Sequence, residues 1–401
     1  MNVLFLTLCE YNSIFEKDLY TDLLRVFMAH GDRVFLVSPI ERRHGKRSYI
    51  IREEQSTILR LRSGNVQKTN LIEKGISTVL LENTFVTGLK KYFSDVKFDL
   101  VLYSTPPITI AGAVEYVKKK DGAKTYLLLK DIFPQNAVDI GIMSKNGIKG
   151  LLYRHFRRQE KKLYSISDRI GCMSKANVDY VIKNNPDVNP CIVEVCPNSI
   201  EITDKSVNCY TRNNIRDKYG IPQNKKVFIY GGNLGKPQGI PFLIDCLRAV
   251  SEKKEAFFLI VGDGTEFGLL ADYANKSSQS NLKIMNRLPK EDYDSMVGAC
   301  DVGMIFLDHR FTIPNFPSRL ISYMQAKIPV LACTDPNTDI GSVITSGDFG
   351  WWCESNDPKK FSQCVEQALS SDLENKGINA WVMLNKLYNV EDAYKTIVNS
   401  L

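Results

Sequence analysis

Continuous apolar runs alternate with helix-length amphipathic stretches along the whole of this chain, and that alternation constrains the fold more than any other feature. Val3-Leu4-Phe5-Leu6-Thr7 precedes a helical pattern from Glu16 to His30, and Gly31-Asp32 turns into Arg33-Val34-Phe35-Leu36-Val37. Asp99-Leu100-Val101-Leu102-Tyr103, Thr125-Tyr126-Leu127-Leu128-Leu129, Arg169 to Met173 and Ile192 to Val195 continue the series. Strands apolar on both faces and separated by helices predict a parallel sheet covered on each side. Residues 41 to 78 are polar and pattern-poor, and predict a loop or lid. The pattern lapses again from Thr203 to Thr211, which reads as a linker, and a second series then begins. Its strands are Val227 to Tyr230, Phe257 to Val261, Leu282 to Met285, Val302 to Phe306 and Pro329 to Leu331. With 401 residues, too many for one ordinary domain, the expectation is an α/β chain of two Rossmann-like domains facing a cleft. Ligands of such sheets bind beyond the carboxyl ends of the strands.

Composition removes several function classes. No run approaches the roughly 18 apolar residues of a membrane span. The start, MNVLFLTLCEYNS, reads as a first strand rather than a signal peptide. The ten cysteines form no CxxC pair and predict reduced thiols in a cytoplasmic protein. The net charge of +7 gathers in clusters, the largest being KGLLYRHFRRQEKKLY from Lys149 to Tyr164. That segment either lies on an anionic membrane surface or is a solvated helix face. No nucleic-acid motif accompanies the charge.

Three loops follow strands of the second series. GGNLGKPQG, Gly231 to Gly239, offers glycines that let backbone approach a phosphate, with Lys236 adding charge. It is neither a Walker loop nor a GxGxxG fingerprint, and alone is equally well a plain turn. GDGTE, Gly262 to Glu266, is equally ambiguous. In FTIPNFPSRLISYMQAKIPVLA, Phe311 to Ala332, Pro317 and Ser318 stand where a helix should begin, and Arg319 adds a planar guanidinium suited to phosphate. Together with LPKEDYDSMVGACDVGMI, KDIFP (Lys130 to Pro134) and PNSIE (Pro197 to Glu201), these loops make the chain resemble the family-four retaining glycosyltransferases of the GT-B fold, of the bacterial capsule and O-antigen type. The resemblance runs from Met1 to the terminal YNVEDAYKTIVNSL.

It implies an acceptor domain of residues 1–203, with 388–401 crossing back onto it, and a sugar-nucleotide domain of residues 204–387. The implied donor site comprises Gly232, Asn233, Gly235, Lys236, Gly262, Asp263, Gly264, Arg287, Leu288, Asn315, Phe316, Pro317, Ser318, Arg319, Leu320 and Ser322. The base would lie by Arg287, Leu288 and Asp263-Gly264, and the diphosphate over Lys236, Ser318 and Arg319. Asp131 would face the acceptor, a polyprenyl-diphosphate-linked saccharide, and Asp131, Lys236 and Arg319 would carry catalysis. The implied enzyme is a hexosyl- or N-acetylhexosaminyltransferase using a nucleotide-sugar donor, a UDP-sugar as commonest. It would work without metal or other cofactor and attach peripherally to the inner face of the cell membrane. Nothing in the pattern sets an oligomeric state. Two departures stand out. The family's Gly-Arg…Lys-Gly cations fall on Asn233 and Gln238, with Lys236 and Arg319 as replacements. Its two glutamates fall on Pro314 and Ser322, leaving the Ser322 hydroxyl for the ribose and the amides of Asn315 and Phe316 for the sugar. Competing readings are a sugar-nucleotide epimerase of the same fold and an inactive binding subunit, which the missing carboxylates suit.

Outside the loops, His30 reads as a helix-end cation. His309 is either a site or a loop residue, Trp351-Trp352 reads as core or rim packing, and Asp301 as structural.

Overall fold

The computed structural model describes residues 1–65 and 71–401, which divide into two compact units: Met1–Glu201 with Asn389–Leu401, and Ile202–Tyr388. In the first unit eight strands form one sheet: β1 (Asn2–Leu6), β2 (Arg33–Glu41), β3 (Tyr49–Arg52), β4 (Ser56–Ser63), β5 (Leu100–Ser104), β6 (Lys124–Leu129), β7 (Arg169–Cys172) and β8 (Val193–Val195). Their order is β3-β4-β2-β1-β5-β6-β7-β8, parallel throughout except for the antiparallel edge pair β3–β4. The core includes Val3, Phe5, Phe27, Leu36, Leu102 and Leu128. The terminal helix Val390–Asn399 belongs to this unit: its Tyr394 stacks on His30 at 4.2 Å and meets the Phe27 ring edge-on at 4.8 Å. His30 is the C-cap of the helix Leu19–Ala29.

The expectation of a loop over residues 41 to 78 is corrected here, apart from residues 66–70, which lie outside the described residues. The segment folds as β3, β4 and the start of the helix Leu71–Tyr92. Its strands escape a hydrophobicity reading because a core position of β4 is Arg60, only 1% exposed. Two of its guanidinium nitrogens are satisfied in place, Nη1 donating to Tyr11 O at 2.8 Å and Nη2 to Glu10 Oε2 at 2.8 Å, while the buried Nε has no hydrogen bond among the described residues. A charge buried with such partners is tolerated where an unpaired one would not be.

The second unit has six parallel strands: β9 (Lys226–Asn233), β10 (Ala256–Asp263), β11 (Leu282–Met285), β12 (Val302–Phe306), β13 (Val330–Thr334) and β14 (Gly350–Glu354). The order is β11-β10-β9-β12-β13-β14. The chain builds outward from β9 on one side, then crosses to β12 and builds outward on the other. The loops after β9 and β12 therefore flank the switch point, where open α/β sheets hold ligands. Trp351 and Trp352 lie within an edge strand, with Trp351 buried and Trp352 Nε1 donating to Thr334 Oγ1 at 2.8 Å. Asp301 is structural: its carboxylate receives Arg212 at 2.6 Å, Arg216 at 2.7 Å and the Val227 N–H at 2.7 Å, which ties the helix Cys209–Lys218 to the start of β9. That helix begins inside the expected linker.

Candidate active site

Three loops at the carboxyl ends of the second sheet are knitted by backbone. Leu234 N–H donates to Asp263 O at 2.7 Å, Glu266 N–H to Leu234 O at 2.9 Å, and Asp308 N–H to Pro237 O at 3.0 Å. This brings Gly232, Asn233, Gly235 and Lys236 beside Gly262, Asp263 and Gly264. The approach depends on missing side chains, since a Cβ on Gly262 would collide with Gly232 O. At Gly232 φ is +122°, and a Cβ would stand 3.3 Å from an Arg319 guanidinium nitrogen, so the third loop reaches the first across a glycine.

Inside the first loop the two neutral residues that stand in the place of cations bond to each other. Asn233 Nδ2 donates to Gln238 Oε1 at 2.9 Å, and the Gly235 N–H also reaches Gln238 Oε1, at 3.3 Å. Gln238 is buried, so this amide pair shapes the loop from within. Lys236 is exposed and its ammonium has no partner among the described residues. Arg319 is half-buried, its guanidinium carbon lying 4.3 Å from the Tyr230 ring centroid, and its Nη1 is buried without a hydrogen bond. Both cations thus stand at the switch point uncommitted to any carboxylate among the described residues.

The stretch before Arg319 is fastened from behind. Asn337 Nδ2 donates to Phe311 O at 2.6 Å and Thr338 Oγ1 to Asn315 O at 2.6 Å. Asp335 Oδ1 in turn accepts the N–H groups of Asn337 at 2.9 Å and Thr338 at 3.2 Å. Burial pushes the Asp335 carboxyl up to about 6. Ser318 caps the seven-residue helix Arg319–Gln325 without a side-chain bond, and the N–H groups of Ser318 and Arg319 have no partner among the described residues. Asn315, Phe316 and Pro317 are half-buried, and Phe316 lies 6.2 Å from the Tyr388 ring. Ser322 is half-buried on the same helix. Leu320 departs from expectation: it is fully buried, and its N–H is taken by Pro317 O at 3.3 Å, so it packs beneath the loop and offers a ligand nothing. Arg287, exposed, and Leu288, half-buried, lie just beyond the end of β11, the strand next to β10. His309 is exposed, 3.8 Å from Asp308, whose carboxylate Arg310 occupies at 2.7 Å. Among the described residues no group of three or more His, Cys, Asp or Glu is placed to hold a metal ion.

Sequence reasoning missed the Asn337–Thr338 brace, whose signal is the turn-forming DPNTD after β13, and the tyrosines around Arg319, whose signal is Tyr323 one turn along its helix.

In the first unit Asp131 follows β6. Thr105 Oγ1, from the loop after β5, accepts the N–H groups of Lys130 at 3.0 Å and Asp131 at 3.2 Å. Asn136 Nδ2 lies 2.8 Å from each Asp131 carboxylate oxygen. Burial pushes the Asp131 carboxyl up to about 6, against the pull of the Asn136 hydrogen bond. It is therefore a carboxylate held in one orientation and poised to change charge near neutrality.

The basic segment forms part of the helix Gly147–Ile166. Several cations there are already engaged: Arg157 with Glu160 at 2.5 Å, Lys161 with Asp187 at 3.2 Å and Lys162 with Glu115 at 3.2 Å. Leu151 and Leu152, 61% and 50% exposed, share the solvent side with Arg154 and Arg158. Among the described residues no helix is long and apolar enough to cross a membrane.

Residues 211–380 match the family model described as "Glycosyl transferases group 1". The chain is 27% identical to a probable glycosyltransferase, WbjE, of Pseudomonas aeruginosa, over 77% of this chain and 75% of that protein. It is 25% identical to the putative colanic acid biosynthesis glycosyl transferase WcaI of Escherichia coli, over 62% of this chain and 60% of that protein. Among solved structures it resembles sucrose-phosphate synthase from Thermosynechococcus elongatus, with TM-score 0.74 and 12% identity over 99% of this chain and 97% of the other. It also resembles Anabaena HepE in complex with UDP and glucose, with TM-score 0.70 and 13% identity over 100% of this chain and 99% of the other. The fold is that of the GT-B glycosyltransferases.

Proposed function

We propose that this chain, which carries a glycosyl transferases group 1 domain over residues 211–380 on a GT-B fold, is a retaining glycosyltransferase of cell-surface polysaccharide assembly. It moves a hexose or N-acetylhexosamine from a nucleotide-diphosphate sugar, a UDP-sugar, to a polyprenyl-diphosphate-linked saccharide. The observation that carries the donor half is the pair of cations, Lys236 and Arg319, standing at the switch point between β9 and β12 with no carboxylate paired to either among the described residues. Planar guanidinium and unpaired backbone N–H groups both complement phosphate oxygen. As the sugar leaves, negative charge grows on the diphosphate, so these groups bind the transition state better than the ground state. The segment Phe311 to Ala332 contains no Asp or Glu to hold a divalent ion beside the phosphates, so the reading is of metal-independent transfer. The UDP complex of HepE and the polysaccharide name of WcaI support the donor and the pathway class.

In this reading the Ser322 hydroxyl holds the ribose and the amides of Asn315 and Phe316 attend the transferred sugar, in place of carboxylates. The base rests against Arg287, Leu288 and the Asp263-Gly264 turn. Asp131 takes the acceptor side, orienting the attacking hydroxyl. The exposed face of Gly147–Ile166 attaches the protein peripherally to the cytoplasmic face of the cell membrane through Leu151, Leu152, Arg154 and Arg158. Sedimentation with anionic vesicles at low salt, reversed at high salt, is the expected behaviour, and protein left in the supernatant at low salt contradicts the attachment. Function is tested by incubating a panel of labelled sugar nucleotides with the full chain and membrane extract. Label transferred to lipid supports the proposal. An isomerised donor, or no conversion of any donor, overturns it in favour of an epimerase or a binding subunit.

A further inference from the structure

Arg319 stands in a setting that its role as a phosphate cation does not by itself require. Its guanidinium faces the Tyr230 ring at 4.3 Å, within the range of a cation–π contact. The ring is fixed in turn: Tyr230 is fully buried, and its hydroxyl donates to Asn233 O at 2.8 Å, in the loop closed by the Asn233–Gln238 amide pair. Tyr323, one turn along the helix from Arg319, is also fully buried and donates to Met304 O at 3.0 Å, on the strand β12. Tyr293, on the helix Lys290–Gly298, hydrogen-bonds Tyr323 and lies near the Arg319 charge. Two glycines make room for these rings. A Cβ on Gly303 would collide with Tyr323, and one on Gly231 with the Tyr293 hydroxyl. Among the described residues no carboxylate pairs with Arg319, whose titratable neighbours are tyrosines, and its Nη1 is buried without a hydrogen bond. A half-buried cation held by aromatic surface and left without an anion is incomplete by itself.

We propose that Tyr230 is a positioning residue that holds the Arg319 guanidinium flat, so that its free edge meets the diphosphate of the donor as a two-pronged hydrogen-bond donor. This rests on the donor-site reading above and deepens it: specificity for a diphosphate comes from a stacked, planar cation rather than from a general positive charge. A lysine does not substitute, because an ammonium offers neither the fork nor the flat face that stacks on the ring.

The test is titration of the full-length protein with UDP, and with inorganic pyrophosphate as a probe that carries no base. Arg319→Ala is expected to raise Kd for UDP roughly ten- to hundredfold. Tyr230→Leu is expected to raise it at least about fivefold, and the Arg319→Ala/Tyr230→Leu double variant to bind within about twofold of Arg319→Ala, because the second change acts through the first. Tyr230→Phe keeps the ring and should stay within about threefold of wild type. A protein that binds neither probe, or an Arg319→Ala variant of normal affinity, defeats the donor-site reading itself. A weakened Arg319→Ala variant beside a normal Tyr230→Leu, or losses that multiply in the double variant, defeats the positioning role alone. If Tyr230→Leu does not fold, Arg319→Lys decides: at least about a fivefold loss is expected, and wild-type affinity overturns the inference.

Discussion

At the end of β6 the first unit presents Asp131, a carboxylate clasped by Asn136 and raised to about 6 by burial, whereas the ends of β9 and β12 in the second unit present Lys236 and Arg319 with no carboxylate paired to them among the described residues. Both places are loops beyond parallel strands, and both are stiffened by side-chain-to-backbone bonds, from Thr105 in one and from Asn337 and Thr338 in the other. They differ in what the charged group lacks. Asp131 has a neutral partner and, among the described residues, no cation, which leaves its proton free to come and go near pH 6. Arg319 has an aromatic partner and, among the described residues, no anion, which leaves its charge free for a ligand. The first arrangement suits orientation of a hydroxyl and the second suits an oxyanion.

The largest effect should separate these two roles. Asp131→Asn is expected to lower turnover on the order of a hundredfold or more while leaving Kd for UDP within about twofold, measured by steady-state kinetics and titration of one preparation. Equal losses in both would erase the distinction. The same carboxylate sets a pH dependence. Turnover should fall as pH drops through about 6, where Asp131 takes up its proton, and the Asn variant should lack that step. The sign for stability follows from the raised value: ionisation costs the folded state more than the unfolded one, fully so above about pH 6. Asp131→Asn should therefore be the more stable protein at pH 7.5, by on the order of 1–3 kcal/mol, and lose that advantage as pH falls toward 4. Thermal unfolding across that range checks it.

On the cationic side, Arg319→Ala and Lys236→Ala should each weaken UDP binding by about 1.5–3 kcal/mol, roughly ten- to hundredfold, with Arg319 the larger because Lys236 is exposed and screened. The smallest effect belongs to Ser322→Ala, where a neutral hydroxyl contact is worth about 1 kcal/mol, or roughly fivefold in Kd. A Ser322 effect as large as that of Arg319 would move the weight of recognition from phosphate to ribose.

Much of this was legible in the chain. Strands such as Val227 to Tyr230 and Phe257 to Val261 are apolar on both faces, so their place in a parallel sheet follows from composition alone. The glycine-bearing loops after them could be located because strand ends are where ligands sit. What escaped reading depended on partners distant in sequence. Arg60 looks like a loop residue until Tyr11 and Glu10 close around it, and Leu320 looks like part of a binding loop until the helix turns it inward. The edge strand β14 hides behind two tryptophans, and the Asn233–Gln238 pair shows its meaning only when Gln238 is seen buried. Backbone pattern is local, whereas charge pairing and side-chain direction are set by packing.

The central proposal is that Lys236 and Arg319, with no carboxylate paired to either among the described residues, carry the donor diphosphate without a metal. Glycosyl transfer from the accepted labelled donor, run with and without EDTA and with added Mg²⁺ or Mn²⁺, tests it most directly. The expected result is a rate unchanged by the chelator and by either ion in wild type, and reduced to the same extent under all conditions in Arg319→Ala. Transfer abolished by EDTA and restored by Mg²⁺ or Mn²⁺, or an Arg319→Ala variant of undiminished rate, would contradict it.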